Sequence, residues 1–143
     1  MDRVIFIRHN LREDKAAIKR LFEQHLIAIH YDDIPSTNPK DYSGKMARRA
    51  VEMLCDCCKT GALVGADYSW LYNKPMLIGV IQKGSNIEPK NNILKNAWLK
   101  TVELKDVKVI YLNDYPHLAK IRPPRITISN WPKAKDTLKE IYT

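Results

Sequence analysis

The chain has 143 residues, 45% of them hydrophobic, enough for one domain over residues 1–143 with a core of its own. No window of about 18 residues is apolar and uncharged, and the start, Met1-Asp-Arg-Val-Ile-Phe-Ile-Arg8, is too charged for a signal peptide, so no membrane span and a cytoplasmic protein are expected. Residues 1–72 carry an excess charge of +1 and residues 73–143 one of +7; this asymmetry favours a polyanion such as nucleic acid as partner.

Val4 to Ile7 is a short apolar run of edge-strand type. Asn10 is placed to cap a helix over 11–25, where Ile18, Leu21, Phe22 and His25 share a face. Leu26 to Tyr31 has strand character, and Asp32 to Tyr42, with two prolines and three aspartates, reads as a functional or Asx-shaped loop. Its Asp32, Ser36 and Asn38 are candidate hydrogen-bonding partners for a base edge. Ser43 is placed to cap a helix over 44–60 with Met46, Ala50, Met53, Leu54 and Cys57 inward, stopped by Gly61. Arg48 lies on its outer face as a phosphate-contact candidate. Cys55, Cys57 and Cys58 are odd in number and local in spacing; they predict a reduced helix face without a disulfide framework, metal or cofactor.

Ala62–Tyr68 and Met76–Gln82 are nearly continuous apolar runs, expected as strands covered on both faces. Gly65 and Gly79 inside them predict a bend or a close approach. Lys83 to Asn96 reads as a mobile loop. Trp98–Leu104 and Val107–Tyr111 read as further strands, the first with Trp98, Val102 and Leu104 on one face. Tyr115–Leu118 is a turn of helix. Ile121-Arg-Pro-Pro-Arg125 displays two arginines, Ile126–Ser129 is a last strand, and Trp131-Pro132 opens a C-terminal helix.

No Gly-rich phosphate loop, His-x-x-x-His, Gly-x-Ser-x-Gly or paired Cys-x-x-Cys is present. Glu103-Leu-Lys105 with Asp67 upstream has the residue types of a PD-(D/E)xK nuclease, which needs two acids on a divalent cation and a lysine beside the attacking water. The other constellation is aromatic: Trp70, Tyr72, Trp98 and Trp131 fall at strand ends or connections, where rings can stack a flipped or single-stranded base. Lys83, Lys90, Lys95, Arg122 and Arg125 are the remaining candidate phosphate contacts.

Gly61-Ala-Leu-Val64, Leu77-Ile-Gly-Val-Ile81 and Trp98-Leu-Lys-Thr-Val-Glu-Leu104, in this order of helices and strands, resemble the PUA-like superfamily, particularly its EVE and YTH members. They look most like the N-terminal DNA-binding domain of archaeal McrB-type, modification-dependent restriction systems. The resemblance implies an α+β domain: a small curved β-barrel of about five or six strands with flanking helices. It implies a non-enzymatic reader of a methylated DNA base flipped into an aromatic cage, with Trp70 and Trp98 as opposite walls and Trp131 beside them. It also implies a possible C-terminal GTPase motor as partner. An RNA-binding PUA-like module is the alternative, and the metal-dependent nuclease is a third reading.

Overall fold

The computed structural model describes residues 2–143. Among the described residues, eight strands form two sheets. In chain order the elements are β1 (Val4–Arg8), α1 (Lys15–Glu23), β2 (Leu26–Ile29), α2 (Lys45–Thr60), β3 (Ala62–Asp67), β4 (Pro75–Ile81), β5 (Glu88–Lys90), β6 (Leu99–Glu103), β7 (Lys105–Tyr111), α3 (Pro116–Lys120), β8 (Ile128–Asn130) and α4 (Lys135–Tyr142). The larger sheet runs β7-β4-β3-β1-β8 and the smaller β2-β6-β5. Only β1 and β3 are parallel. The chain is α+β as expected, but the sheets do not close into a barrel: β8 and β7 end one sheet, and β2 and β5 the other.

The apolar runs of β3 and β4 are buried throughout because the larger sheet is covered on both faces. One core gathers Ile5, Ile7 and Val64 with α1, α2 and the smaller sheet. The other packs Val4, Phe6, Met76 and Ile78 against Leu118 of α3, Trp131 and Leu138 of α4. Alternation along β1 sends odd residues to the first core and even ones to the second.

The two strand glycines do what their positions predict. A Cβ on Gly65 would lie 2.5 Å from Cζ3 of Trp131, so the indole ring lies against bare backbone. At Gly79 the β4–β7 register shifts between Ile78 and Val80, and a Cβ would meet Leu104 at 3.1 Å.

Several expectations are corrected. Asp14, not Asn10, caps α1 by accepting from the Ala17 N–H at 3.1 Å; Leu11–Glu13 form a separate 3-10 turn with left-handed φ values. Gly44 precedes α2 without a side-chain cap, and the Ser43 N–H and hydroxyl instead reach Asp32 Oδ2 at 3.0 and 3.3 Å. The buried stripe of α2 is Ala47, Ala50, Val51, Leu54, Cys57 and Cys58, which leaves Met46 65% exposed. The segment read as a mobile loop contains the edge strand β5, paired with β6 through Glu88↔Thr101 to Lys90↔Leu99.

His9 joins the two sheets. Its Nε2 lies 3.1 Å from the Ala28 N–H of β2, which can only donate. Nδ1 therefore carries the proton and donates to the Asp67 carbonyl of β3, also at 3.1 Å. The ring stacks on Tyr68 with centroids 4.4 Å apart. Complete burial pushes the imidazole down from 6.5 to about 4, so it is neutral at pH 7.

Candidate functional site

The predicted aromatic cage does not assemble. Trp131 is 2% exposed, packed edge-to-face on Phe6 with centroids 5.0 Å apart, and its Nε1–H donates to the Ile121 carbonyl at 2.9 Å. It is a core residue with no face open to a base. Trp70 and Trp98 do not share a cavity. Tyr68, beside Trp70, donates to the Leu26 carbonyl at the Glu103 end of β6, whereas Trp98 precedes the opposite end. Five residues of strand separate those ends by roughly 16 Å.

Trp70 (40% exposed) and Tyr72 (91% exposed) project from the β3–β4 hairpin. The hairpin is fixed by Tyr68 N–H to the Pro75 carbonyl, by Lys74 N–H to the Leu71 carbonyl, and by left-handed φ values at Asn73 and Lys74. Tyr72 borders a hollow of about 550 Å³ with Lys19, Phe22, Leu71 and Tyr111. Trp98 borders a separate, polar hollow with Asp33, Asn91 and Asn96, and its N–H donates to Asp33 Oδ1 at 2.8 Å.

Asp32, Ser36 and Asn38 shape their own loop. Asp32 holds Ser43; Asn38 Oδ1 accepts from the Lys40 N–H at 3.0 Å; Ser36 Oγ donates to Asp41 and accepts from the Asn38 N–H. Beneath them Lys100 is buried, its ammonium donating to the carbonyls of Tyr31 (2.8 Å), Ile34 (3.2 Å) and Trp98 (3.0 Å) and lying over the Tyr42 ring. Desolvation lowers its pKa, opposed by Asp33 and Asp32. The loop is thus built around one cation whose donors meet backbone acceptors. Sequence reading missed this lysine because two of its three acceptors, Tyr31 and Ile34, lie 69 and 66 residues away.

The basic candidates divide. Lys83, Lys95, Arg48 and Arg125 are exposed, while Lys90 is partly covered and 3.7 Å from Glu88. Arg122 is engaged: its Nη1 donates to the buried Asp67 Oδ2 at 2.9 Å and to Ser69 Oγ at 3.3 Å. Arg8 donates to the Pro123 and Ile126 carbonyls at 2.7 and 3.3 Å. These two arginines tie the segment before β8 to the ends of β1 and β3.

The end of that segment and β8 together form one wall of a half-open groove of about 410 Å³, facing α2. Met46, Arg49, Ala50 and Met53, at i, i+3, i+4 and i+7 of α2, form the other wall, and Tyr31 also lines it. The lining is mostly apolar, with the Arg49 guanidinium as its one cationic group. The Tyr31 hydroxyl is given to Thr127 Oγ1 at 3.4 Å. Sequence reading singled out Arg48, the neighbour of Arg49, but treated Met46 and Met53 as core. Their flanking position on the α2 stripe was the available signal.

The nuclease residues do not converge on a free carboxylate pair. Asp67 is taken by Arg122 and by the Ser69 N–H at 2.7 Å, and Glu103 by Lys105 at 2.6 Å. Among the described residues no three His, Cys, Asp or Glu side chains are grouped to hold a metal ion. The cysteines are free; burial raises all three thiols, Cys58 to about 11, which keeps them protonated. No helix among the described residues is long and apolar enough to cross a membrane.

Fold and groove together define the class: a basic α+β domain of two sheets with an apolar, arginine-flanked groove at the edge of the larger one. No family model, curated protein or solved structure matches the chain.

Proposed function

We propose that this is a non-enzymatic, cytoplasmic nucleic-acid-binding module of PUA-like type, the specificity domain of a McrB-type restriction system working with a GTPase motor. In this reading a flipped, methylated DNA base enters the α2–β8 groove while exposed lysines and arginines hold the backbone. The observation that carries the reading is the groove itself: an apolar concavity of about 410 Å³, flanked by Arg49, on a chain of net charge +8. A planar base needs apolar or aromatic walls, and the soft thioethers of Met46 and Met53 suit an added methyl group. Such a methyl adds about 0.8 kcal/mol of burial, a several-fold preference. Polyanion contacts supply affinity without sequence information.

The test is a set of binding titrations with methylated and unmethylated DNA and with RNA. Met46→Asp places a carboxylate at the mouth of the groove on a side chain that is already largely exposed. It should weaken binding by about tenfold, the equivalent of 1.4 kcal/mol. Lys139→Gln on α4, which changes net charge equally, should have a much smaller effect. Equal losses for the two variants would reduce the binding to net charge and remove the groove from the interface.

A further inference from the structure

Besides the side chains of Arg49, Tyr31, Thr127 and Asn130, the groove has polar capacity in main chain. The Arg8 N–H donates to the Thr127 carbonyl at 2.8 Å, the Trp131 N–H donates to the Val4 carbonyl at 2.9 Å, and Ser129 pairs with Phe6 between them. In an antiparallel ladder alternate residues turn both main-chain groups to the partner strand, so 127, 129 and 131 face β1. Ile128 and Asn130 therefore turn their N–H and C=O groups the other way, where no strand follows because β8 ends the sheet. None of these four groups has a hydrogen-bond partner among the described residues, and both residues line the groove. The methionines and alanine opposite them offer no strong donor or acceptor. Ser129 lines the groove, but its Oγ, a buried hydroxyl without a partner, is turned to the Phe6 side by the strand register.

Resting on the reading of the groove as a base site, we infer that β8 reads the base through its open main-chain edge. The N–H and C=O groups of Ile128 and Asn130 hydrogen-bond the Watson–Crick edge of the inserted base. Base edges mix donors and acceptors, and so does this strand edge; a base still paired in a duplex has no free edge to offer. An extended peptide adding to the same edge would be the competing occupant. The edge is short for that. Ile126 already gives its carbonyl to Arg8, Pro132 follows Trp131, and β8 has three residues where strands usually have about five. The neighbouring Arg48, Arg49 and Arg125 also favour a polyanion.

Asn130→Pro removes one outward donor and leaves the β1 ladder intact, because residue 130 does not bond β1 and the preceding residue is already extended. Asn130→Ala is the control for the side chain, whose Oδ1 accepts from Arg3 at 3.3 Å. The probes are single-stranded dA, dC and dT homopolymers of about twelve nucleotides and an abasic strand of the same length. Wild type and Asn130→Ala should bind at least one homopolymer about tenfold more tightly than the abasic strand. Asn130→Pro should lose that preference and keep its affinity for the abasic strand. In wild type, amide exchange at Ile128 and Asn130 should slow with the preferred homopolymer and not with the abasic strand, a readout that needs no variant. If wild type discriminates but exchange at both amides is unchanged, or folded Asn130→Pro discriminates fully, main-chain readout is overturned while the groove reading stands. If wild type binds base-bearing and abasic strands alike, the base site falls as well, and the open edge is left to an extended peptide.

Discussion

One buried histidine, His9, should make this fold lose stability in acid. In the folded chain His9 is fully buried, its Nε2 accepts from Ala28, and its pKa is pushed from 6.5 to about 4. Protonation would abolish that acceptor and strand a charge between the sheets. The unfolded chain binds the proton below about 6.5 and the folded chain only below about 4, so stability falls as pH drops through that window and levels off beneath it. The whole gap is worth roughly 3 kcal/mol, and between about pH 7 and about pH 4.5 roughly 2 kcal/mol of it is lost. Urea unfolding of wild type and His9→Gln across that range isolates the effect, because other titrations largely cancel in the difference. Glutamine can accept from Ala28 and donate to Asp67 without titrating. Its stability relative to wild type should rise steadily as pH falls. Parallel pH profiles for the two proteins would refute a buried, neutral His9.

Gly65→Ala should destabilise by about 1–3 kcal/mol, read as a drop in Tm, because its methyl would overlap the Trp131 ring; an unchanged Tm would mean that the indole is not packed on the strand. Arg122→Ala should cost about 3 kcal/mol in urea unfolding by leaving Asp67 buried without its cation, and Asp67→Asn in the same chain should recover part of the loss. Arg125→Glu, at an exposed position, should leave stability nearly unchanged and lower the log–log salt slope of DNA binding by about one unit.

The parts of the fold that were legible are those written in contiguous residues. Both faces of β3 and β4 are apolar in the sequence and buried in the fold, and Gly65 and Gly79 mark a close approach and a bulge. The α2 helix and its Gly61 stop are equally local. What escaped depends on distant partners. Trp131 opens a helical turn in sequence, yet its burial is decided by the space above Gly65. Lys100 lies in a strand with an ordinary pattern, and only the returning carbonyls of Tyr31 and Ile34 make its burial possible. β5 is three residues long and contains Pro89, so it has too little pattern to announce a strand. The aromatic cage failed for a related reason: proximity of Trp70 and Trp98 was inferred from their place at strand ends, but the ends are opposite ones. The groove was partly legible, since Met46, Arg49 and Met53 have helical spacing. The wall they face, β8, is supplied from the far end of the chain.

The most direct test of the account is a chemical-shift map of the labelled protein titrated with base-bearing and abasic single strands. Binding in the α2–β8 groove predicts that base-bearing strands shift the methyls of Met46 and Met53 and the amides of Ile128 and Asn130, and that abasic strands leave these signals in place. Shifts confined to Trp70, Tyr72 and Tyr111, with the groove signals unmoved by either strand, would contradict it.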